Sequence, residues 1–413
     1  MVRRLIRFWA LDPPLIGLVL LINLFGVGMI YSAGVLNDPS PVTTGAWARQ
    51  LVWLGIALVA FTAVSRVPLR WFEWVALPSY VFAVILLAAT KVIGTGAGTA
   101  AGVESFIDVG FVSFQPSEFA KLATILALAR YLGSRTEEPT TLRGLVPPAL
   151  IAGLPLGLVL LQPDLGSALA FVGILFAALF WAGTAPWLLL LLASPGVALI
   201  LSFNTLIWSA YFVVLVIFLY LYHYRLFLVE SVSVFLANLA AGTIAVPLWN
   251  SLAEYQQNRI LVFLDPAVDP RGAGYQLIQS LVAIGSGGFA GKGFTLGTQK
   301  RLDFLPEQHT DFIFSVIGEE LGFIGTLLTL ITFGLILYRL VSLAEEASDS
   351  FAGLVVFGIF GAWLIHIFVN VGMTVGMVPV TGIPLPFVSY GGTFLLTSWV
   401  AVAMAARVAH EEP

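Results

Sequence analysis

Apolar residues gather along the chain into blocks close to the roughly 20 residues that an α-helix needs to cross a bilayer. The blocks fall near 15–33, 47–65, 72–93, 114–132, 143–161, 165–184, 187–203, 206–222, 227–248, 312–338, 351–376 and 387–407. This pattern predicts about twelve spans in an all-α polytopic membrane protein, with residues 1–413 forming a single integral membrane domain. The first block is too long for a cleaved signal peptide, and no clear cleavage site follows it. Between 187 and 248 the count is weakest, because Pro195 and Gly196 interrupt the first of three blocks. Two of the three could form one broken helix plus a re-entrant piece, although IWSAYFVVLVIFLYLYHYR (207–225) reads as a span with an interfacial end. The long polar segment is 249–311, and within it YQLIQSLVAI (275–284) has the apolar spacing of an amphipathic helix lying on the membrane interface.

Composition sharpens the class. Apolar residues make up 59% of the chain and charged residues 10%, with a mean hydropathy of +0.97. Soluble domains carry about 25% charged residues, so this chain cannot cover itself with a water-compatible surface. The net charge of −4 says little about partners, and the lack of cysteine excludes disulfide and thiolate chemistry. The four histidines are scattered, which argues against a His-rich metal site, and no basic stripe supports nucleic-acid binding. With the N-terminus inside, Arg3, Arg4, Arg7, Arg66, Arg70, Arg130, Arg135, Arg143, Arg225, Arg339 and Arg407 fall on the cytoplasmic side. Only Arg49 and Lys91 fall in short outer connections. Both termini are then cytoplasmic, and the 34–46, 94–113, 249–311 and 377–386 connections face outward.

Ionisable residues inside apolar helices are costly and usually functional. Glu118 and Lys121, three apart in FQPSEFAK, share a helix face, either as an ion pair that fixes packing or as the polar wall of a substrate cavity. Asp164 in QPDLGS is placed to cap the 165–184 helix. Glu319 and Glu320 follow Asp311 by eight and nine residues, which is about 12 Å deeper if the helix is continuous. Such carboxylates point to a hydrated cavity, hydrogen bonds to neighbouring helices or a proton pathway. His366 and Asn370, four apart, suit interhelical hydrogen bonding.

In the polar segment, Gly285, Gly287, Gly288, Gly291 and Gly293 surround Lys292 as a flexible hinge or a phosphate cradle. It is not a P-loop, since Gly293 follows the lysine where Ser or Thr is required. Lys300 and Arg301 precede FLPEQHTDF, where Pro306 sets a turn and Thr310 or Asp311 can cap the helix starting near Phe312. Spacing alone favours a cap for Asp311. The density of Glu307, His309 and Asp311 beside Lys292, Lys300 and Arg301 points instead to a site for an anionic substrate.

The blocks FQPSEFAK (114–121), QPDLGS (162–167), NRILVFLDPAVDPRGAGYQLIQSLVAIGSGGFAGKG (258–293), GTQKRLDFLPEQHTDFIF (297–314), GEELG (318–322) and GIPLPFVSYGG (382–392) resemble the SEDS family of bacterial cell-wall polymerases. That family comprises RodA, FtsW and the sporulation homologue, and the GTQ and FLPEQHTDF wording stands nearer the RodA branch. The resemblance implies a SEDS-type bundle of ten core transmembrane helices, so the 187–248 region would add a helical hairpin of two further spans. It implies a peptidoglycan glycosyltransferase for cell elongation and rod shape, in the bacterial inner membrane with an extracytoplasmic active site. The implied substrate is lipid II, and the implied partners are a class B penicillin-binding protein transpeptidase and the elongation machinery.

The family's essential Asp maps onto Asp311. It would act as general base on the GlcNAc 4-hydroxyl while undecaprenyl pyrophosphate leaves. One carboxylate suffices for such a transfer, because diphosphate leaves well once neutralised, whereas glycosidases need two. Lys292, Lys300 and Arg301, or a divalent cation such as Mg or Mn, would steady the leaving group. Glu307, His309, Glu118, Lys121, Gln115, Asp164 and Ser389 complete the candidate substrate-binding set. One departure is Ser105-Phe106 before Ile107-Asp108, where the family usually carries Arg-Trp. Rival readings are a lipid II flippase using Glu118, Lys121, Glu319 and Glu320, and a non-enzymatic scaffold for a transpeptidase.

Overall fold

The structure, a computed structural model, describes residues 11–410 apart from 38–40, 97–104, 109, 111–112, 136–137, 223–226, 271, 273, 303 and 306. Arg3, Arg4, Arg7, Arg225 and Pro306 therefore lie outside the described residues. The principal helices are α1 (Pro13–Ala33), α2 (Ala46–Val64), α3 (Leu69–Ile93), α4 (Pro116–Gly133), α5 (Leu142–Leu160), α6 (Leu165–Trp181) and α7 (Pro186–Leu201). They continue as α8 (Thr205–Leu221), α9 (Leu228–Ser251), α10 (Glu254–Leu264), α11 (Tyr275–Gly287), α12 (Ile313–Glu345), α13 (Ser350–Thr374) and α14 (Gly392–Val408). Each of the twelve apolar blocks thus holds a helix. Among the described residues, seven helices are long and apolar enough to cross a membrane, and α6, α7, α8 and α14 are shorter apolar helices.

Helix starts follow the chemistry of orphan amides, in which a side-chain oxygen takes an N–H that the helix itself cannot pair. Asp12 accepts from Leu15 N at 2.8 Å, Asp164 from Ser167 N at 2.9 Å and Asp349 from Ala352 N at 2.7 Å. Pro195 does not break α7. Its ring removes the N–H that would have bonded Leu191 O, and Ser194 Oγ donates to that carbonyl at 2.7 Å instead. The 187–248 region folds as three separate helices, the first of them unbroken at Pro195. These helices, α7 to α9, share a small core of Leu191, Leu215, Leu219 and Val234. Asn238 Nδ2 donates to Ser194 Oγ at 2.8 Å and Tyr211 Oη to Asn238 Oδ1 at 2.7 Å, which ties the three together.

The main core is built around α13, which packs on α4, α6, α12 and α14 and is buried over most of its length. Its residues Leu354, Val355, Val356 and Ile359 join a continuous apolar cluster with Ile317, Phe333 and Ile336 of α12 and Trp399 and Val402 of α14. Many large apolar side chains elsewhere stay exposed, among them Leu150, Ile200, Leu206, Leu228 and Leu328, which is how a bundle meets lipid. In the 94–113 connection, a two-stranded antiparallel ribbon pairs Ile107 with Phe114 and Asp108 with Ser113.

The polar segment and the helix after it depart from expectation in one decisive respect. α12 is not straight, because Gly322 adopts φ 65°, ψ −158°. The break frees the carbonyls of Glu319 and Glu320 and the amides of Phe323 and Ile324, groups that a continuous helix would pair with one another. All four find partners in the glycine run. Lys292 N and Gly293 N donate to Glu319 O and Glu320 O at 3.0 and 2.9 Å, while Phe323 N and Ile324 N donate to Gly288 O and Phe289 O at 2.9 and 3.2 Å. A Cβ on Gly291, at φ 80°, would stand 2.1 Å from Glu320 O. The glycine run is thus a main-chain strap across a kink, neither a loose hinge nor an open cradle. α11 also forms, but the face it buries is Leu277, Ser280, Ala283 and Gly287. Ser280 Oγ lies 2.6 Å from Ser315 Oγ and donates to Thr374 O at 2.7 Å, so that face packs on α12 and α13.

Candidate active site

Asp311 occupies a turn just before α12. The residue at the N-cap position is Phe312, whose side chain makes no capping bond. Thr310 Oγ1 instead turns back to Glu307 O and Oε2 at 3.2 and 3.1 Å. The expectation that Thr310 or Asp311 caps the helix is therefore corrected, and the Asp311 carboxyl is left for other work. Three successive carbonyls hold the turn. His309 O accepts from Tyr390 N at 2.9 Å, Thr310 O from Ser389 Oγ at 2.6 Å and Asp311 O from Asn370 Nδ2 at 2.9 Å. Asn370 Nδ2 also reaches Ile383 O at 2.7 Å, so α13 clamps this turn against the 382–390 loop. Non-glycine residues on both sides, Glu307 (φ 52°) and Phe387 (φ 63°), take the left-handed conformation that side chains usually avoid. Gly382 brings backbone beside the acid, since a Cβ there would lie 3.2 Å from Asp311 Oδ2.

The Asp311 side chain is half-buried and makes no ion pair among the described residues. Burial pushes its pKa up to about 7, reinforced by the negative charges of Glu307 and Asp164. Arg259 pulls in the opposite direction, as does a hydrogen bond from Thr310. His309 is buried, and burial together with the positive charge of Arg49 lowers its pKa to about 4, so the ring is neutral at pH 7. It lies 5.6 Å from the Tyr390 ring, over which the Arg49 guanidinium sits at 5.8 Å.

Gln115 and Asp164 join this neighbourhood: Gln115 Nε2 donates to Asp164 Oδ2 at 3.1 Å, and Gly166 packs against Thr381 O and Ile383. Glu118 and Lys121 form the ion pair that their spacing foresaw, at 2.7 Å. Lys121 Nζ also reaches His366 Nε2 at 2.9 Å, and His366 Nδ1 faces Pro384 O at 3.1 Å. Because a carbonyl can only accept, Nδ1 carries the ring proton and Nε2 accepts from the ammonium. The triad lines a cavity shared with Trp363, Phe394 and Thr397.

Two of the three cations of the polar segment stand elsewhere. Lys292 pairs with Glu319 at 2.7 Å, and Lys300, fully buried, pairs with Glu320 at 2.7 Å. Both were expected to steady a leaving diphosphate, but each ammonium is engaged by a carboxylate of α12, and burial lowers the Lys300 pKa. The helix carboxylates are correspondingly engaged with the 292–301 stretch, and Glu320 Oε2 also accepts from Ser32 Oγ of α1 at 2.6 Å, a hydrogen bond to a neighbouring helix as expected. Arg301 donates through Nε to Thr295 O at 2.9 Å and has no carboxylate partner among the described residues. Ser389 differs from its expected substrate-binding role in geometry: its hydroxyl accepts from Leu385 N at 2.8 Å while donating to Thr310 O. Among the described residues, no three His, Asp or Glu side chains converge as metal ligands.

Sequence reasoning overlooked Arg259, whose charge bears on Asp311, and Arg49, whose charge bears on His309. Their one signal was position, an arginine in the NRILVF block and another in an outer connection.

The FTSW_RODA_SPOVE cell cycle protein family model matches residues 14–229 and 205–413. Peptidoglycan glycosyltransferase MrdB of Escherichia coli K12 is 34% identical over 392 residues, 94% of this chain and 91% of the relative. Peptidoglycan glycosyltransferase RodA of Treponema pallidum is 34% identical over 428 residues, 96% and 97% of the two chains. A probable peptidoglycan glycosyltransferase FtsW of Coxiella burnetii is 33% identical over 414 residues, 98% and 97%. Among solved structures, a chain from a peptidoglycan synthase complex described as coordinating polymerization and crosslinking superposes with TM-score 0.69 at 31% identity, covering 97% of both chains. The crystal structure of the rod shape determining protein RodA from Thermus thermophilus superposes with TM-score 0.62 at 27% identity, covering 97% of this chain and 96% of that one.

Proposed function

The chain belongs to the FtsW/RodA/SpoVE family of cell cycle proteins and is an integral membrane peptidoglycan glycosyltransferase, and from that premise we propose that it polymerises lipid II with Asp311 as the general base. The observation that carries this reading is the Asp311 carboxyl itself: unneutralised by any cation at ion-pair distance among the described residues, on a turn held by three consecutive carbonyls. A general base works best when its pKa lies near the operating pH, and burial brings Asp311 to about 7.

In the proposed step, Asp311 removes the proton of the GlcNAc 4-hydroxyl as that oxygen attacks the anomeric carbon of the MurNAc donor. The bond from that carbon to the undecaprenyl diphosphate oxygen breaks, and the diphosphate departs with the electron pair. The proton then passes from Asp311 to water. Arg259 and Arg301, unlike Lys292 and Lys300, are cations without a carboxylate partner among the described residues, and they take over the steadying of the diphosphate. The neutral His309 serves as a hydrogen-bonding group beside the base. The active site faces the outer side of the bacterial inner membrane, and both termini are cytoplasmic.

We place the activity in cell elongation, supported by the GTQ and FLPEQHTDF wording and by the RodA structures among the neighbours. The partner is a class B penicillin-binding protein transpeptidase, supported by likeness to a chain of a synthase complex that couples polymerization to crosslinking. The residues a flippase would use, Glu118, Lys121, Glu319 and Glu320, each stand in an ion pair, which favours a packing role for them.

Purified protein with labelled lipid II, with and without the transpeptidase, tests the reading. Muramidase-sensitive glycan strands that vanish with Asp311→Asn are expected. Transbilayer movement of labelled lipid without polymer would indicate a flippase, and neither result would leave only a scaffold.

A further inference from the structure

The two lysine–glutamate pairs, Lys300–Glu320 fully buried and Lys292–Glu319 with its lysine partly exposed, are absorbed by no step of the reaction, yet they converge on one point of the backbone. Glu319 and Glu320 sit immediately before the break at Gly322. Glu319 Oε1 accepts from Lys292 Nζ at 2.7 Å, Thr298 N at 2.7 Å, Thr298 Oγ1 at 3.0 Å and Gln299 N at 2.9 Å. Glu320 receives Lys300 Nζ at 2.7 Å on Oε1 and Ser32 Oγ at 2.6 Å on Oε2. Lys300 Nζ in turn reaches Ser32 Oγ at 2.6 Å and also bonds Ser32 O. The C-terminal end of α1 is therefore drawn into the same knot. Asn37 N to Arg301 O at 3.0 Å and Gln308 Nε2 to Ala33 O at 3.0 Å extend the attachment towards the Asp311 turn.

The part of α12 before the kink, residues 313–321, is a short half-helix with Asp311 just beyond its N-terminal end. Nine residues at 1.5 Å each make a lever about 13 Å long, so a rotation of about 10° at the kink moves the far end by about 2 Å. A displacement of about 1 Å in a catalytic group can cost about 10²-fold in rate. The main-chain strap spans the kink itself, whereas the charged groups tie it to two further segments, the 292–301 stretch and the end of α1.

We propose that Lys292–Glu319 and Lys300–Glu320, with Ser32, form a clasp that locks the α12 kink and thereby holds Asp311 in its working position. These are positioning residues, and the inference rests on Asp311 being the base.

The test separates positioning from simple stability. Replacing a buried ion pair by apolar residues of similar volume is often neutral or stabilising, whereas removing one partner is strongly destabilising. Lys300→Met alone is expected to lower both thermal stability and kcat. The double variant Lys300→Met/Glu320→Met is expected to regain stability while kcat stays at least tenfold down with KM little changed. Its acid limb should shift below that of the parent as the loosened base gains water. Amide hydrogen exchange over residues 313–321 should quicken in the same variant, a readout that does not need activity. A double variant with parental kcat, pH profile and exchange overturns the clasp. Should the double variant fail to fold, Lys292→Ala at the more exposed pair takes its place, and unchanged kcat and exchange there overturn it equally. Asp311→Asn run alongside distinguishes the two ideas: if it still polymerises, the base assignment fails, and the clasp is judged on exchange alone.

Discussion

Asp311 and the pair Glu319–Glu320 lie within nine residues of one another at the N-terminal end of α12, and their chemistry is opposite. Glu319 and Glu320 are fully buried and gathered up by Lys292, Lys300 and a set of backbone and hydroxyl donors. Asp311 is only half-buried, but the side chains around it, Glu307 and Asp164, share its sign, and the arginine that acts on it stays outside ion-pair range. A carboxylate that has been neutralised holds structure together, and one left unneutralised keeps its basicity. Proximity of acids and bases along the chain did not separate these roles; only their pairing in space does.

The sharpest way to break the comparison is to remove the unpaired acid. Asp311→Asn keeps the shape and deletes the base, and a general base is worth about 10²–10⁴ in rate. Polymerisation by purified protein should fall by that much with thermal stability retained or raised. A loss below tenfold would move the base elsewhere.

The pH dependence follows from the same carboxyl. Polymerisation should rise with pH through about 7, the Asp311 value, and drop below it as the base becomes protonated. Stability must run the other way. Burial raises the pKa above that of the unfolded chain, so the native state binds more protons between about pH 4 and 7, and stability falls as pH rises through that window. Asp311→Asn should flatten this slope, which a series of melting temperatures from pH 5 to pH 8 would detect.

A smaller effect should come from the groups that hold the turn. Asn370→Leu leaves Asp311 O and Ile383 O without their shared donor. An unsatisfied buried acceptor costs about 1–3 kcal/mol, and if half of that falls on the turn, kcat should drop about fivefold with KM nearly constant. Ser389→Ala should act alike through Thr310 O and Leu385 N. A rise in KM alone would instead assign Ser389 to direct substrate contact.

How much of this was legible beforehand depends on the range of the interactions. The helices were visible because lipid imposes long apolar runs, and the Glu118–Lys121 pair because its partners stand one turn apart. Asp164 as a cap was visible for the same reason. The kink was hidden, since GEELG reads as uninterrupted helix until Gly288 to Gly293 supply partners for the groups it frees. The lysines were misplaced because Lys292 and Glu319 are 27 residues apart, and a loop full of glycine looks equally suited to phosphate or to backbone. The Asp311 turn drew the capping expectation because Thr and Asp before a helix usually cap it, whereas here Thr310 bonds Glu307 and the turn is held by Asn370, Ser389 and Tyr390, 59 to 81 residues downstream.

The mildest variant probes the cations by the same distinction. Lys292 and Lys300 are neutralised by α12, so their loss should appear in kcat and in stability, where an altered frame shows itself. Among the described residues the Arg301 side chain is tied by Nε to Thr295 O, and its remaining donors can turn towards an anionic headgroup. Arg301→Ala should therefore raise KM for lipid II with little change in kcat or melting temperature. A charge-assisted contact of about 1 kcal/mol at a partly exposed site predicts a rise of about fivefold, weakening further as salt screens it. If KM is unchanged and kcat falls with stability, Arg301 belongs with the paired lysines as part of the frame, and the diphosphate is left to Arg259.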